Sequence, residues 1–177
     1  MKKTVWIVRT AICLALLIAV QFFTRSFGQL VTGSCVNLVL AVSALIGGVW
    51  SGITVAVISP FCAYLLGIGP AFLPMVPCVS LGNAVYALLF GLFVGKYLKE
   101  KKPAAAYVSM ALAAAAKFVT LLVVLVQLVA PHVVPEAKLS VVTASFTWPQ
   151  LLTAAIGGII ACLIAPTLRR ALEKKNG

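Results

Sequence analysis

A lone lysine, Lys117, lies in the middle of an otherwise apolar stretch, residues 104–130. The stretch is long enough to cross a bilayer as a helix, and an ionisable side chain at that depth costs roughly 3 kcal/mol or more. About thirteen residues separate Lys117 from either end, which is roughly 20 Å at a rise of about 1.5 Å per residue. We therefore expect Lys117 to face a protein interior, a wet cavity or a ligand. The alternative is a lysine whose amine extends to the headgroups.

Six further residues with polar groups lie toward one side of the membrane, whichever direction the chain runs. They are Gln21, Asn37, Asn83, Gln127, Trp148 and Gln150. Gln127 is predicted to share the helical face of Lys117 through Thr120 and Val124. The opposite half of the membrane contains almost only small and aliphatic residues, so the pattern indicates a pocket open to one side and not a channel. Two roles stay open for Trp148: stacking on a ligand, or anchoring a helix at headgroup depth.

Such a pocket would have the chemistry of one cation among neutral amides. The chain has no aspartate, and its three acidic residues, Glu100, Glu136 and Glu173, fall outside the apolar stretches. This favours a small ligand with a carboxylate or with several carbonyl acceptors. Two alternatives remain: the amides only bridge helices, or Lys117 pairs with backbone carbonyls that a kink at Pro60 sets free.

The composition assigns the chain to the membrane. Of its 177 residues 63% are hydrophobic and 10% are charged, and the mean hydropathy is +1.14. A soluble chain this apolar could not cover its core. Most basic residues fall on one side of the predicted bilayer: Lys2, Lys3, Arg9, Lys96, Lys99, Lys101, Lys102, Arg169, Arg170, Lys174 and Lys175. Only Arg25 and Lys138 fall on the other, so this positive-inside pattern predicts cytoplasmic termini and explains the net charge of +11 without nucleic acid.

Six apolar stretches predict an all-α integral membrane protein with six transmembrane helices in a single domain, residues 1–177. The stretches are residues 5–24, 30–47, 49–66, 76–95, 104–130 and 146–168. Each has roughly the 17–25 residues that a helix needs to cross the bilayer. Residues 67–77 are too rich in proline and glycine to be helical, and they predict an ordered outer cap. Residues 131–145 predict a second outer loop.

Small residues repeat at four-residue spacing along one face of the first predicted helix. Ala11, Ala15 and Ala19 form this alanine stripe, which would allow another helix to approach closely. The fourth and sixth predicted helices carry similar stripes, and ordinary packing within the bundle accounts for most of them. A stripe on the terminal first helix is better placed for an outside partner, so we predict that it docks one.

The sequence predicts neither an enzyme nor a cofactor or metal site. Five cysteines lie singly in apolar stretches, with no CxxC and no metal-ligand spacing. The single histidine, His132, lies beside Pro131 in a predicted loop, and no carboxylate lies inside a span for acid–base chemistry. The chain can therefore bind something, but it has no visible source of energy for transport.

Several segments that occur in a fixed order give the chain a family resemblance. They are Ala11 with Ala15, and residues 33–48, 59–77, 81–90, 113–118 and 146–161. In this order and spacing they resemble the substrate-binding S-component of energy-coupling-factor (ECF) transporters, the bacterial vitamin-uptake systems. The resemblance covers essentially the whole chain. It implies six helices that hold a vitamin near the outer face of the bacterial plasma membrane, and it selects no particular vitamin.

The resemblance also implies the energy source that the chain lacks. In this family the alanine face of the first helix docks onto a separate transmembrane coupling protein, which two ATPase subunits drive. The whole S-component then rotates in the membrane to expose its pocket inward. Two other functions stay open from the residues themselves. One is a self-sufficient facilitator or secondary carrier, and the other is a small scaffold whose amides only pack helices.

Overall fold

The computed structural model describes residues 3–176, which form helices with short connections and no strand. The helices are α1 (Lys3–Thr24), α2 (Gln29–Gly47), α3 (Val49–Leu65), α4 (Met75–Lys99), α5 (Pro103–Val133), α6 (Glu136–Ser145) and α7 (Trp148–Asn176). A 3₁₀ turn, Arg25–Phe27, follows α1. Part of the predicted basic side lies outside the described residues: Lys2 and the side chains of Arg169, Lys174 and Lys175.

The helices have the length and composition of membrane spans. Within the described residues, five segments are long and apolar enough to cross a bilayer: α1 with its 3₁₀ turn, α2, α4, α5, and α6 together with most of α7. The remaining apolar helix, α3, has 17 residues. The prediction of an all-α membrane protein with about six spans is confirmed, and the chain is a multi-pass membrane protein. Which side the termini face stays a prediction.

The basic connection between α4 and α5 is shorter than predicted. Helix α4 continues to Lys99, so that Lys96 and Lys99 lie on its last turns and not in a loop. Basic side chains at the carboxyl end of a helix interact favourably with the helix dipole, which favours this extension. Lys101 and Lys102 remain in the turn, where Lys101 has a φ of 56°.

The prediction of a second outer loop at residues 131–145 is wrong. Ala130–Val133 completes α5, and Glu136–Ser145 forms the separate helix α6. Pro135 divides the two, because the residue before a proline is pushed out of the helical region, and Val134 is extended at φ −100° and ψ 126°. No residue of α6 is fully buried, so α6 lies on the surface of the bundle.

The connection between α3 and α4 is non-helical over residues 66–74, which agrees with most of the predicted cap. Gly67 has a φ of 68°, a conformation that glycine adopts at little cost. The predicted cap extends too far, because α4 already begins at Met75 and includes Pro77. A proline fits the first turn of a helix, where its missing N–H would have no intrahelical partner.

Helices α2 and α7 are in close contact. A Cβ atom built on Gly157 would lie 2.6 Å from the Leu38 nitrogen and 2.6 Å from the Ser34 oxygen. Because both atoms belong to the backbone of α2, they could not move aside for a larger residue. This contact fixes α7 against the helix that carries Asn37.

Helix α1 is attached to the bundle along one side only. Its buried residues are Thr10 and Leu17. The Thr10 hydroxyl donates a hydrogen bond of 2.8 Å to Ser51 Oγ on α3, and this contact is buried. The rest of α1 is partly or fully exposed, which leaves a wide apolar surface on the outside of the bundle.

Candidate functional site

Lys117 is buried on α5, with only 2% of its surface exposed. Its Nζ atom lies 2.7 Å from Asn37 Oδ1 on α2 and 2.7 Å from Asn83 Oδ1 on α4. Both asparagines are almost fully buried as well. The structure therefore brings together three predicted site residues, which we call the lysine–amide cluster, and the lysine does not extend to the membrane surface.

The two asparagines lie at the same depth of the bundle. Asn37 follows the first residue of α2, Gln29, by eight residues, and Asn83 follows the first residue of α4, Met75, by eight as well. At about 1.5 Å per residue, each side chain is roughly 12 Å from its helix start. Both helices start at one end of the bundle, where α1 and α3 finish. We refer to this end as the cavity end.

The amide of Asn37 is held in one orientation. Its Nδ2 donates to the Gly33 carbonyl at 2.8 Å and to Thr153 Oγ1 on α7 at 3.3 Å, which turns Oδ1 toward Lys117. By contrast, Asn83 Nδ2 has no hydrogen-bond partner among the described residues, and Asn83 borders the cavity described below. The cluster thus has one fixed amide and one amide with two N–H groups to offer.

Tyr86 contacts the lysine–amide cluster from one turn further along α4. The centre of its ring lies 5.7 Å from Lys117 Nζ, within the range of a cation–π contact. The Tyr86 hydroxyl donates to the Ala154 carbonyl on α7 at 3.0 Å, which fixes the ring. Sequence reasoning missed Tyr86 and Thr153. Their spacing three residues after Asn83 and Gln150 was the available signal, since residues three apart share a helix face.

Within the described residues, Lys117 forms no ion pair with a carboxylate. Among the described residues the one ion pair joins Lys102 and Glu100 at 2.9 Å in the α4–α5 connection. The hydrogen bond from Lys102 lowers the pKa of the Glu100 carboxyl. Lys117 has only neutral partners, and neutral partners leave part of the desolvation cost of a buried ammonium uncompensated. The part of the chain that the structure describes also contains no group of three side chains suited to a metal ion.

A cavity of about 290 Å³ extends from the lysine–amide cluster to the cavity end. Lys117, Asn37 and Asn83 form its floor. Residues 68–72 of the α3–α4 connection line it on one side, and Val141, Val142 and Ser145 of α6 line it on another. The two connections that the sequence analysis placed at the outer surface thus both border the cavity.

Three glutamines, Gln21, Gln29 and Gln150, line the cavity near its opening. Gln21 lies three residues before the end of α1, and Gln150 lies two residues after the start of α7. Gln150 Nε2 donates to the Ser145 carbonyl at 3.2 Å. Gln21 Oε1 is buried and has no hydrogen-bond partner among the described residues. A buried acceptor without a donor is unfavourable unless a ligand or water satisfies it.

The structure does not bring Gln127 to the cavity. Gln127 is exposed. The prediction that it shares the face of Lys117 is wrong, because Leu121–Val129 is π-helical. A π-helix has i→i+5 bonds and a wider turn, so residues beyond Thr120 no longer follow the 3.6-residue period.

Trp148 also lies outside the cavity, with 62% of its surface exposed. It borders a separate shallow groove together with Gln29 and Ser140. It is the first residue of α7, and its neighbour Pro149 opens the helix, so its side chain points away from the packed face on which Gln150 and Thr153 lie. Of its two open roles, the position favours the anchor.

The alanine stripe lies on the exposed side of α1. Ala11, Ala15 and Ala19 are all exposed, whereas Thr10 and Leu17 face the bundle. The stripe is therefore not buried by any of the residues that the structure describes. Whether a partner protein docks there stays a prediction.

These features define a class: a multi-pass helical membrane protein with a polar cavity that opens at one end and a free face on its first helix. The family follows from comparison with known proteins. The family model described as ECF transporter, substrate-specific component, matches residues 6–169. Since this covers most of the chain, the protein belongs to the family of substrate-specific components of ECF transporters. It is a family of transporter subunits and not of enzymes.

No curated protein and no solved structure is similar enough to this chain to count as a match. The family assignment gives a substrate-specific membrane subunit that associates with other components of an ECF transporter. The ligand and the individual partners have to be argued from the residues of this chain.

Proposed function

We propose that this protein captures a small water-soluble vitamin or related metabolite at the outer face of a bacterial plasma membrane. It would act as the substrate-binding subunit of an ATP-driven importer, with residues 1–177 as one membrane domain and both termini in the cytoplasm. The observation that carries the proposal is Lys117, buried at the floor of the cavity with two neutral amides as partners.

The electrostatics of the lysine–amide cluster support a ligand with a carboxylate or with several carbonyl acceptors. Bringing an ammonium group into a bundle of apolar helices has a large desolvation cost. Two amide oxygens offset part of it, at 2.7 Å each. An anionic group on the cavity side of Lys117 would offset much more, because it adds the attraction between opposite charges, which is strong in a low-dielectric interior.

The alanine stripe supports a partner within the membrane. Lipid covers an apolar helix face as well as protein does, so a face of small residues gains mainly from close helix–helix packing. We infer that Ala11, Ala15 and Ala19 dock a transmembrane coupling protein, which two ATPase subunits drive. This supplies the energy source for which the chain itself has no residues.

The experiment is to identify what the protein retains. The protein, purified in mild detergent from cells grown in rich medium, is expected to release a small molecule that mass spectrometry can identify. A binding subunit should hold this molecule without ATP. The proposal fails if repeated preparations release nothing and no member of a vitamin panel raises the thermal stability. Uptake into liposomes by this chain alone would support a self-sufficient carrier instead.

A further inference from the structure

The floor of the cavity offers unused hydrogen-bond donors, and each of its amide oxygens already accepts a hydrogen bond. Both floor amide oxygens, Asn37 Oδ1 and Asn83 Oδ1, already accept from Lys117. Lysine has three N–H groups, so the ammonium retains one after these two bonds. Asn83 Nδ2 adds two more that have no partner among the described residues. A ligand group that meets this floor must therefore be an acceptor, and a carboxylate suits it best because of the positive charge.

The opening of the cavity differs from the floor in its hydrogen-bond acceptors. Gln21 Oε1 is a buried acceptor that no described residue satisfies. Gln150 donates one N–H of Nε2 to the Ser145 carbonyl, which leaves its Oε1 as an acceptor and its second N–H as a donor. An acceptor on the ligand would leave such oxygens unpaired, at the cost of a buried unsatisfied group. An N–H or O–H donor on the ligand is therefore the group that would satisfy Gln21 Oε1.

The distance between the two regions sets the length of the ligand. The floor asparagines lie eight residues from their helix starts, whereas Gln21 and Gln150 lie three and two residues from the corresponding ends of α1 and α7. The difference of five to six residues corresponds to roughly 8 Å along the bundle. An extended chain of two to three peptide units covers that distance. The cavity of about 290 Å³ is likewise at the small end of ligand sites, which begin near 300 Å³.

We propose that the ligand is a compact monoanion with its anionic group at one end and N–H or O–H donors roughly 8 Å away, bound with the anion on Lys117 and Asn83 and the donors at Gln21 and Gln150. This inference rests on the proposed function and makes it narrower. It excludes cationic ligands, which Lys117 would repel, and ligands that are anionic at both ends.

The first test uses probe molecules of matched shape with the purified full-length protein. Pantothenate and biotin each have one carboxylate and distant N–H or O–H donors, whereas pantothenol and biotin methyl ester lack the anion and thiamine is a cation. We expect any stabilisation in thermal-shift measurements to come from the two monoanions. Equal stabilisation by an uncharged counterpart, or stabilisation by thiamine, would contradict the claim that the site requires an anionic ligand. The proposed binding function would remain.

If no probe stabilises the protein, the molecule released from the purified protein decides. A compact monoanion with donors at its far end supports the inference, and a cation, a dianion or a neutral molecule refutes it. If nothing is released and nothing binds, the failure is that of the proposed function. The two failures are therefore distinguishable.

The second test concerns the opening and uses Gln21→Leu, with Gln127→Leu as the matched control on an exposed glutamine. If Gln21 Oε1 accepts from the ligand, Gln21→Leu should weaken binding of the stabilising probe or released molecule by about tenfold. The control should bind as the parent does. Because Oε1 has no partner among the described residues, the leucine variant should fold at least as stably without ligand. Unchanged affinity in Gln21→Leu would show that Gln21 accepts no hydrogen bond from the ligand, and would overturn the inference.

Discussion

The cavity and the alanine stripe are two surfaces that remain accessible to a binding partner. They differ in the kind of partner that each can bind. The cavity has polar atoms without partners among the described residues: Gln21 Oε1, which is buried, and the Asn83 amide nitrogen. The alanine stripe on α1 has no polar atom in its side chains. Unpaired polar atoms select a ligand by chemistry, whereas a smooth apolar face selects a partner only by shape. The same short chain therefore contains a chemically specific site and a permissive one.

The largest effect is expected from filling the alanine stripe. Ala15→Trp adds a bulky side chain to an exposed face, which would hold a partner helix several ångströms away and remove close contact along the stripe. We expect uptake to fall to background and co-purification with the coupling protein to be lost, while ligand binding stays intact.

The control for this variant is Leu112→Trp, at a residue of α5 with 63% of its surface exposed. It adds an aromatic ring to a lipid-facing surface that is already bulky, so uptake should continue. If Ala15→Trp supports normal uptake, the alanine stripe does not dock the partner. If Ala15→Trp also loses ligand binding, the stripe and the cavity do not have separate roles.

The next effect is expected at the floor of the cavity. Lys117→Met keeps most of the side-chain volume and removes the charge-assisted hydrogen bonds to an anionic ligand. Such bonds contribute about 1.5–3 kcal/mol, so the dissociation constant should rise roughly 10- to 150-fold. Isothermal titration or thermal shift with the ligand recovered from the purified protein would measure it.

Lys138→Met serves as its control, because Lys138 lies on α6, is exposed, and does not border the cavity. It should leave the affinity unchanged. Equal affinity in Lys117→Met and the parent protein would remove the basis for an anionic or carbonyl-rich ligand.

A smaller effect tests the helix contact that supports the cavity. In Gly157→Ala the new Cβ would meet the α2 backbone at 2.6 Å and the Asn37 side chain at 2.8 Å. Overpacking of this kind costs about 1–3 kcal/mol. We expect a lower thermal unfolding temperature together with weaker ligand binding, because α2 carries Asn37.

Gly158→Ala makes a useful comparison with it. There the nearest atom is Met110 Cγ at 2.7 Å, in a flexible side chain that can move aside. Its loss of stability should therefore be smaller. If Gly158→Ala is the more damaging of the two, the α2–α7 contact is not what fixes the floor of the cavity.

The smallest effect is expected where α1 joins the bundle. Thr10→Val removes the buried hydrogen bond to Ser51, and such bonds between membrane helices average about 0.6 kcal/mol. The unfolding temperature should fall slightly, with no change in ligand affinity. Thr54→Val is the control, since the Thr54 hydroxyl donates only to Trp50 of its own helix. A change in affinity in Thr10→Val would mean that the two surfaces are coupled through α1.

The helical spans could be predicted from the sequence because a bilayer requires long apolar stretches and leaves few other solutions. The lysine–amide cluster could be predicted for a related reason. A buried lysine needs polar partners, and Asn37 and Asn83 lie at equal depth on helices that start at the same end. Depth can be read by counting residues from a helix end, so these three residues could be grouped before their contacts were known.

Rotation about the helix axis was much harder to predict than depth. Gln127 has a suitable depth, but the π-helical segment Leu121–Val129 turns it away from the cavity. Nothing in this segment, which consists of leucine and valine apart from Gln127, marks it as π-helical. Trp148 is the first residue of α7, where no preceding turn fixes the direction of the side chain, so the sequence could not decide between its two open roles. Helix α6 could not be predicted because none of its residues is fully buried, so its sequence has no apolar periodicity.

The hydrogen bonds of Asn37 have a consequence for the thermodynamics of binding. Gly33 and Thr153 hold its amide, and Asn37 together with Asn83 holds the Lys117 ammonium in place before any ligand enters. A long, flexible side chain that is already immobilised loses little rotamer entropy when it binds, and this loss is commonly about 0.5–1.5 kcal/mol per side chain. Preorganisation of this kind lets a small molecule with few contacts be held tightly, as the proposed function requires.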